Sequence, residues 1–232
     1  MIKLLNPNYF TSSLYKLMPF LVSIFIILIP LALWQSLYAS PEDYQQGDLV
    51  RIMYVHVPSA WMSLFIYSFI AICSLSNIIW RTPFSYVLAI AAAPLGAGFT
   101  LTTLVTGSIW GEQTWGTWWV WDARLTSMLI LFLFYVSYIA IINAGDNLSR
   151  SEKPAAIIAL IGFINVPIVK FSVNIWNSLH QPASVFRVDG PSIHSSMLIP
   201  LMLMFTVFAL YFIIFLCIRA TTILDSIRVK NL

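Results

Sequence analysis

The chain has 232 residues, of which 59% are hydrophobic and 9% charged, with a formal net charge of +3 and a mean hydropathy of +0.85. Soluble domains carry about 25% charged residues, so an ordinary water-soluble globule is excluded. The basic residues form no face or stripe, so the charge does not argue for nucleic acid and no nucleic-acid partner is expected.

The length suits one domain. Six stretches reach the roughly 20 mostly apolar residues that a membrane helix needs. They are 17–38, 57–80, 86–109, 125–142, 155–173 and 197–218. The predicted fold is an all-α integral membrane protein, a single six-helix domain over residues 1–232. The first stretch follows Lys3 and Lys16. It is longer than the roughly 7–15 residues of a signal-peptide core and no A-x-A-like site follows it, so a retained anchor is expected.

Prolines fall inside the spans at Pro30, Pro94, Pro167 and Pro200. Each removes a backbone donor, frees a carbonyl and kinks its helix. The third span also holds Gly96 and Gly98, which allow close helix packing. Cys73 and Cys217 lie in apolar runs and read as small buried residues. There is no CxxC, so neither a thiol-redox site nor a c-type haem attachment motif is present.

Orientation follows from the cations. With both termini in the cytoplasm, that side receives Lys3, Lys16, Arg81, Arg150, Lys153, Arg219, Arg228 and Lys230. The outer side receives only Arg51, Arg124, Lys170 and Arg187. The outer face is then built from residues 39–56, 110–124 and 174–196. The inner connections carry no evident chemistry.

All three histidines, His56, His180 and His194, fall on that outer side. A single rim histidine is usually an interfacial polar residue, but a pair on one face suits a metal. Two ligands are too few for structural zinc, which takes four. They are enough for haem, whose porphyrin leaves two axial positions. Five of the nine tryptophans lie in 110–124. An aromatic belt would spread over both interfaces, whereas this clustering points to a flat apolar platform. Asp122 is placed to cap the fourth span. Arg124 sits badly with the helix dipole there. Its fork suits a carboxylate, as does that of Arg51, five residues before His56. Metal ligands, a flat platform and two arginines match the iron, ring and two propionates of haem.

The segment Trp115-Gly116-Thr117-Trp118-Trp119-Val120-Trp121-Asp122-Ala123-Arg124-Leu125-Thr126-Ser127 resembles the tryptophan-rich WWD motif of haem-handling proteins. Asp43–Gly47, Arg51–Pro58 and Trp176–Gln181 match as well. Together with six spans, the chain resembles the cytochrome c maturation protein C family, a haem-exporter component, across spans one to five. The resemblance implies haem b (iron protoporphyrin IX) bound at the outer membrane face, with His56 and His180 as axial ligands. The loop from Trp115 to Arg124, including Trp118, Trp119, Trp121 and Asp122, would present it. The resemblance also implies delivery of haem to a membrane-anchored chaperone, the maturation protein E. A small membrane protein, maturation protein D, and an ABC-type pair, maturation proteins A and B, would be further partners. No P-loop is present, so ATPase activity would belong to those partners and the chain is not expected to be an enzyme. The expected location is a bacterial inner membrane, or the mitochondrial one for an organelle-encoded chain. His194 has no counterpart in the motif and stands as an alternative second ligand.

Two other classes fit less well. A secondary transporter places its site near the midplane and usually puts charge inside its spans. Here the polar residues gather at the rim, with Lys170 near a span end the exception. A membrane assembly scaffold would use the tryptophan loop as a protein dock, and haem content after purification separates it from a haem binder.

Overall fold

A computed structural model describes residues 7–145, 148–176, 178–180, 184–187 and 189–230. Lys3, Asn177 and Gln181 lie outside these. Six helices are long and apolar enough to cross a membrane, running Tyr9–Ala39, Asp48–Trp80, Pro83–Trp115, Ala123–Ala144, Arg150–Ile175 and Ser195–Val229. The number agrees with the hydropathy pattern, but most are longer than the apolar stretch alone. Polar ends extend a helix without contributing to hydropathy.

Helix α1 (Pro7–Trp34) runs on through a π turn, Gln35–Ala39. A 3₁₀ turn, Asp48–Ile52, leads into α2 (Met53–Trp80). Arg81 ends α2 in the left-handed region, at φ 49°, and its amide bonds the Asn77 carbonyl at 2.9 Å. Pro83 then opens α3 (Pro83–Trp115) at the first helical position, where its missing N–H costs nothing. Helix α3 outlasts the expected span by a turn and a half. Trp110 and Trp115 are therefore helical, and the predicted loop of residues 110–124 shrinks to the stretch after α3. Gly116 makes the stop: it takes φ 73° and donates its amide to the Glu112 carbonyl, a termination that favours glycine.

Asp122 caps α4 (Ala123–Ala144), accepting the Leu125 amide at 2.7 Å, as expected. The fifth span is two helices, α5 (Leu148–Phe163) and α6 (Asn165–Ile175). The break falls at Ile164, and α5 ends at Phe163, four residues before Pro167, whose ring and missing N–H disrupt the bond to the Phe163 carbonyl. Pro94 and Pro200 stay inside unbroken helices, α3 and α7 (Ser195–Lys230).

Helices α2 and α3 form the central hairpin, with α4, α5 and α7 packed on it, while α6 packs mainly on α4 and α1 mainly on α7. The interior is organised by buried tyrosines. Tyr135 donates to the Ser63 carbonyl at 2.7 Å and Tyr67 to the Ile158 carbonyl at 3.2 Å. These bonds satisfy hydroxyls that lipid could not. Gly96 makes room for the Tyr135 ring, since a Cβ there would lie 2.3 Å from it. Gly98 faces open space, so close packing is confined to the first of the two glycines. Cys73 and Cys217 are buried and free.

The chain direction brings the starts of α2, α4 and α7 and the ends of α3 and α6 to one end of the bundle. His56, His180, His194 and the tryptophan-rich segment are all at that end.

Candidate functional site

His56 lies one turn into α2, against the last turns of α3. Its Nδ1 is 3.1 Å from the Thr106 hydroxyl. That hydroxyl donates its only proton to the Thr102 carbonyl, 2.6 Å away, so it accepts from His56. The Nδ1–H tautomer follows, and the Thr103 backbone carbonyl is a further acceptor for the ring. Gly107 makes the fit possible: a Cβ there would come within 2.9 Å of His56 Cε1. The Trp110 ring stands edge-on to His56 at 5.7 Å and 81°, and its indole N–H donates to Gln46 at 2.8 Å. Gln46 is held in turn, because Asp43 accepts the Gln45 and Gln46 amides at 2.9 Å.

His180 is fixed by a different kind of partner. Its Nδ1 is 3.1 Å from Asp122 Oδ2. The Ser178 hydroxyl donates to the same carboxylate oxygen and accepts the His180 amide at 3.1 Å. Burial works to raise the Asp122 carboxyl, but Ser178, the Leu125 amide and His180 outweigh it and hold it below its ordinary value. Burial pushes the His180 imidazole below its usual 6.5, and Asp122 pulls it back only in part. The pair is thus a neutral imidazole donating to a carboxylate, and no hydrogen bond to Nε2 is found among the described residues. Trp115 stands edge-on at 5.1 Å and 65°. Asp122 therefore has two functions on its two oxygens, capping α4 and orienting His180.

His56 lies close enough to His180 and Arg124 for their charges to act on it. Arg124 directs Nε to the Ser172 hydroxyl at 3.5 Å. Arg51 pairs with Asp48 at 3.0 Å, while its Nε is buried without a partner among the described residues. The Trp119 indole N–H is likewise buried and unpartnered. Trp119 packs edge-on to Trp121 at 5.5 Å. Trp118 and Trp121 are 61% and 76% exposed, so they stand out from the bundle end. His194 is a helix cap: its carbonyl accepts the Met197 and Leu198 amides, and its Nδ1 accepts the Ser196 amide at 3.3 Å.

Thr106 and Gly107 shape the site and were not expected from the sequence, while Trp110 was read only as platform and Gln46 and Ser178 lie in the matched segments without an assigned role. The signal for the α3 residues was their spacing. Thr106, Gly107 and Trp110 share one helical face, but only once the helix is known to continue past 109. Among the described residues, no group of three or more His, Cys, Asp or Glu side chains could hold a metal. Two separate imidazoles suit a metal that brings its other ligands with it.

Six spanning helices, with two histidines and a tryptophan-rich segment at one end, define a multi-pass membrane protein. The family described as "Heme exporter protein C" matches residues 1–232, and the chain belongs to that family. "Heme exporter protein C" of Bradyrhizobium diazoefficiens is 50% identical over 213 residues, covering 92% of this chain and 81% of that protein. A "Putative cytochrome c biosynthesis ccmC-like mitochondrial protein" of Marchantia polymorpha is 46% identical over 207 residues, covering 89% and 88%. "Heme exporter protein C" of Haemophilus influenzae is 43% identical over 188 residues, covering 81% and 76%. Bacterial and mitochondrial relatives, with six spanning helices, make this a multi-pass inner-membrane protein.

Proposed function

We propose that the chain takes part in haem export for cytochrome c maturation, holding haem between His56 and His180 at the outer membrane face and passing it to a haem chaperone. The relatives' names point to haem export and cytochrome c biosynthesis. The observation that carries the reading is the matched tautomer of the two histidines. Each has Nδ1 occupied, by Thr106 and by Asp122, and each leaves Nε2 for iron. Haem supplies an iron with two axial positions, a flat apolar ring and two propionates. Trp115, Trp118, Trp119 and Trp121 offer apolar surface for the ring. Arg51 and Arg124 offer cations for the propionates, and the unpartnered Arg51 Nε and Trp119 N–H are donors in search of an acceptor.

The cargo is haem b, held by coordination rather than a covalent link. Eight of the twelve cations fall, by sequence, in or beside the termini and the inner connections, which the positive-inside rule puts in the cytoplasm. The site then opens outward, where Trp118 and Trp121 are exposed to a chaperone of the maturation protein E kind. Maturation protein D and the ABC-type pair, maturation proteins A and B, complete the machinery, and any ATP hydrolysis is theirs. The role is transport rather than catalysis.

The test is the absorption spectrum of the full chain purified in detergent. Wild type is expected to carry haem with a bis-imidazole spectrum, and His56→Ala and His180→Ala are each expected to lose it. Unchanged Soret bands and haem content in both variants would overturn the assignment.

A further inference from the structure

We infer that the two histidines are built as unequal ligands: Asp122 makes His180 the retained one, and Thr106 leaves His56 as the one released when the cargo moves on. This rests on the haem-holding reading above. The difference is in what each Nδ1–H meets. His180 donates to a carboxylate at 3.1 Å, and that carboxylate is itself fixed by Ser178 and the Leu125 amide. His56 meets only neutral acceptors, the Thr106 hydroxyl at 3.1 Å, whose own proton is committed to the Thr102 carbonyl, and the Thr103 backbone carbonyl.

A hydrogen bond to a charged acceptor is roughly twice as strong as one between neutral groups. Drawing the Nδ1 proton toward Asp122 puts more electron density on His180 Nε2 and strengthens its bond to a metal. The Thr106 hydroxyl orients the His56 ring but adds little density. Gly107 and Trp110 fix where that ring lies, which is a matter of placement and not of donor strength. The Fe–Nε2 bond of His56 is therefore the weaker of the two. In the exchange it breaks with its electron pair returning to His56, while a donor atom of the receiving protein supplies a pair to the same face of the iron. His56 leaves as the neutral imidazole, still bonded to Thr106. No proton moves and the iron keeps its oxidation state.

The first test is resonance Raman spectroscopy of the ferrous single-histidine variants. The His180–iron stretch, seen in His56→Ala, is expected at higher frequency than the His56–iron stretch, seen in His180→Ala. Asp122→Asn should lower the former and leave the latter in place. A second measurement keeps both histidines. Asp122→Asn is expected to raise the reduction potential and to weaken haem retention by about 10–100-fold. Thr106→Val should move the potential far less, and Thr106→Ser should restore wild-type behaviour. Coincident stretches, or equal potential shifts for Asp122→Asn and Thr106→Val, would overturn the inequality while leaving bis-histidine binding intact. A wild-type protein with no bis-imidazole spectrum would overturn both readings.

Discussion

Two segments at the same end of the bundle carry a histidine between α6 and α7, and they hold it by different partners. His180 donates Nδ1–H to Asp122, a residue 58 positions away in the chain. His194 accepts at Nδ1 from the amide of Ser196, two residues on, and lies 2.8 Å from its hydroxyl. The Nδ1 of His194 is thus engaged within its own turn rather than by a distant carboxylate. A tertiary contact orients His180, whereas a local one uses His194 to start a helix. The availability of a histidine is therefore settled by the partner of its other nitrogen, not by its presence at the rim.

The largest effect that could break this contrast is the paired substitution of the two residues. His180→Ala is expected to abolish the bis-imidazole spectrum. His194→Ala is expected to keep it and to lower thermal stability by about 1 kcal/mol, the usual cost of a lost N-cap. Loss of the spectrum in His194→Ala alone would reverse the assignment.

A smaller effect is expected beside His56. Gly107→Ala puts a methyl within 2.9 Å of the imidazole Cε1. Either the ring shifts or the helices part, at a cost of about 1–3 kcal/mol. The expected result is reduced haem content with the His180 contribution retained. A fully loaded Gly107→Ala protein would show that the α2–α3 contact is looser than described.

The smallest effect is the pH dependence, which sharpens the contrast from the His180 side. The folded protein holds His180 below its usual 6.5, so protons compete with iron only at lower pH than for an exposed imidazole. Haem retention is expected to stay level through pH 6.5 and to fall below it. Stability follows the same sign. The folded His180 disfavours its proton, and the Asp122 carboxyl, held below its ordinary value, loses its stabilising bonds once protonated. Both contributions are present at neutral pH and are lost on acidification. Asp122→Asn removes the anion that raises His180, so its acid limb should move to lower pH even as overall retention falls. Titration of haem absorbance in the two proteins checks this, and an acid limb moved to higher pH would contradict it.

Much of the fold was legible in the sequence. Hydropathy is a sum over consecutive residues, so six apolar runs mark six helices wherever they pack. Asp122 could be read as a cap because capping depends on the next three residues. The clustering of tryptophans before α4 was equally plain. The ends of α3 and the interruption of the fifth span were less so. Helix α3 continues to Trp115 through polar residues that lower hydropathy but still form helix. Pro167 signalled a kink, and whether it would bend its helix or split it as α5 and α6 depended on the surrounding packing.

The sequence alone determined a six-helix inner-membrane protein with histidines, tryptophans and arginines gathered toward one end, and its motifs placed it in a haem-exporter family. Only the tertiary structure decided which nitrogens are free. Thr106 meets His56 because α3 runs antiparallel to α2, and Asp122 meets His180 because α4 begins where α6 ends. The physical reason is range. Apolar burial in a membrane helix is fixed residue by residue, but a hydrogen bond spans about 3 Å. Whether its two partners come that close depends on how distant stretches of chain pack together.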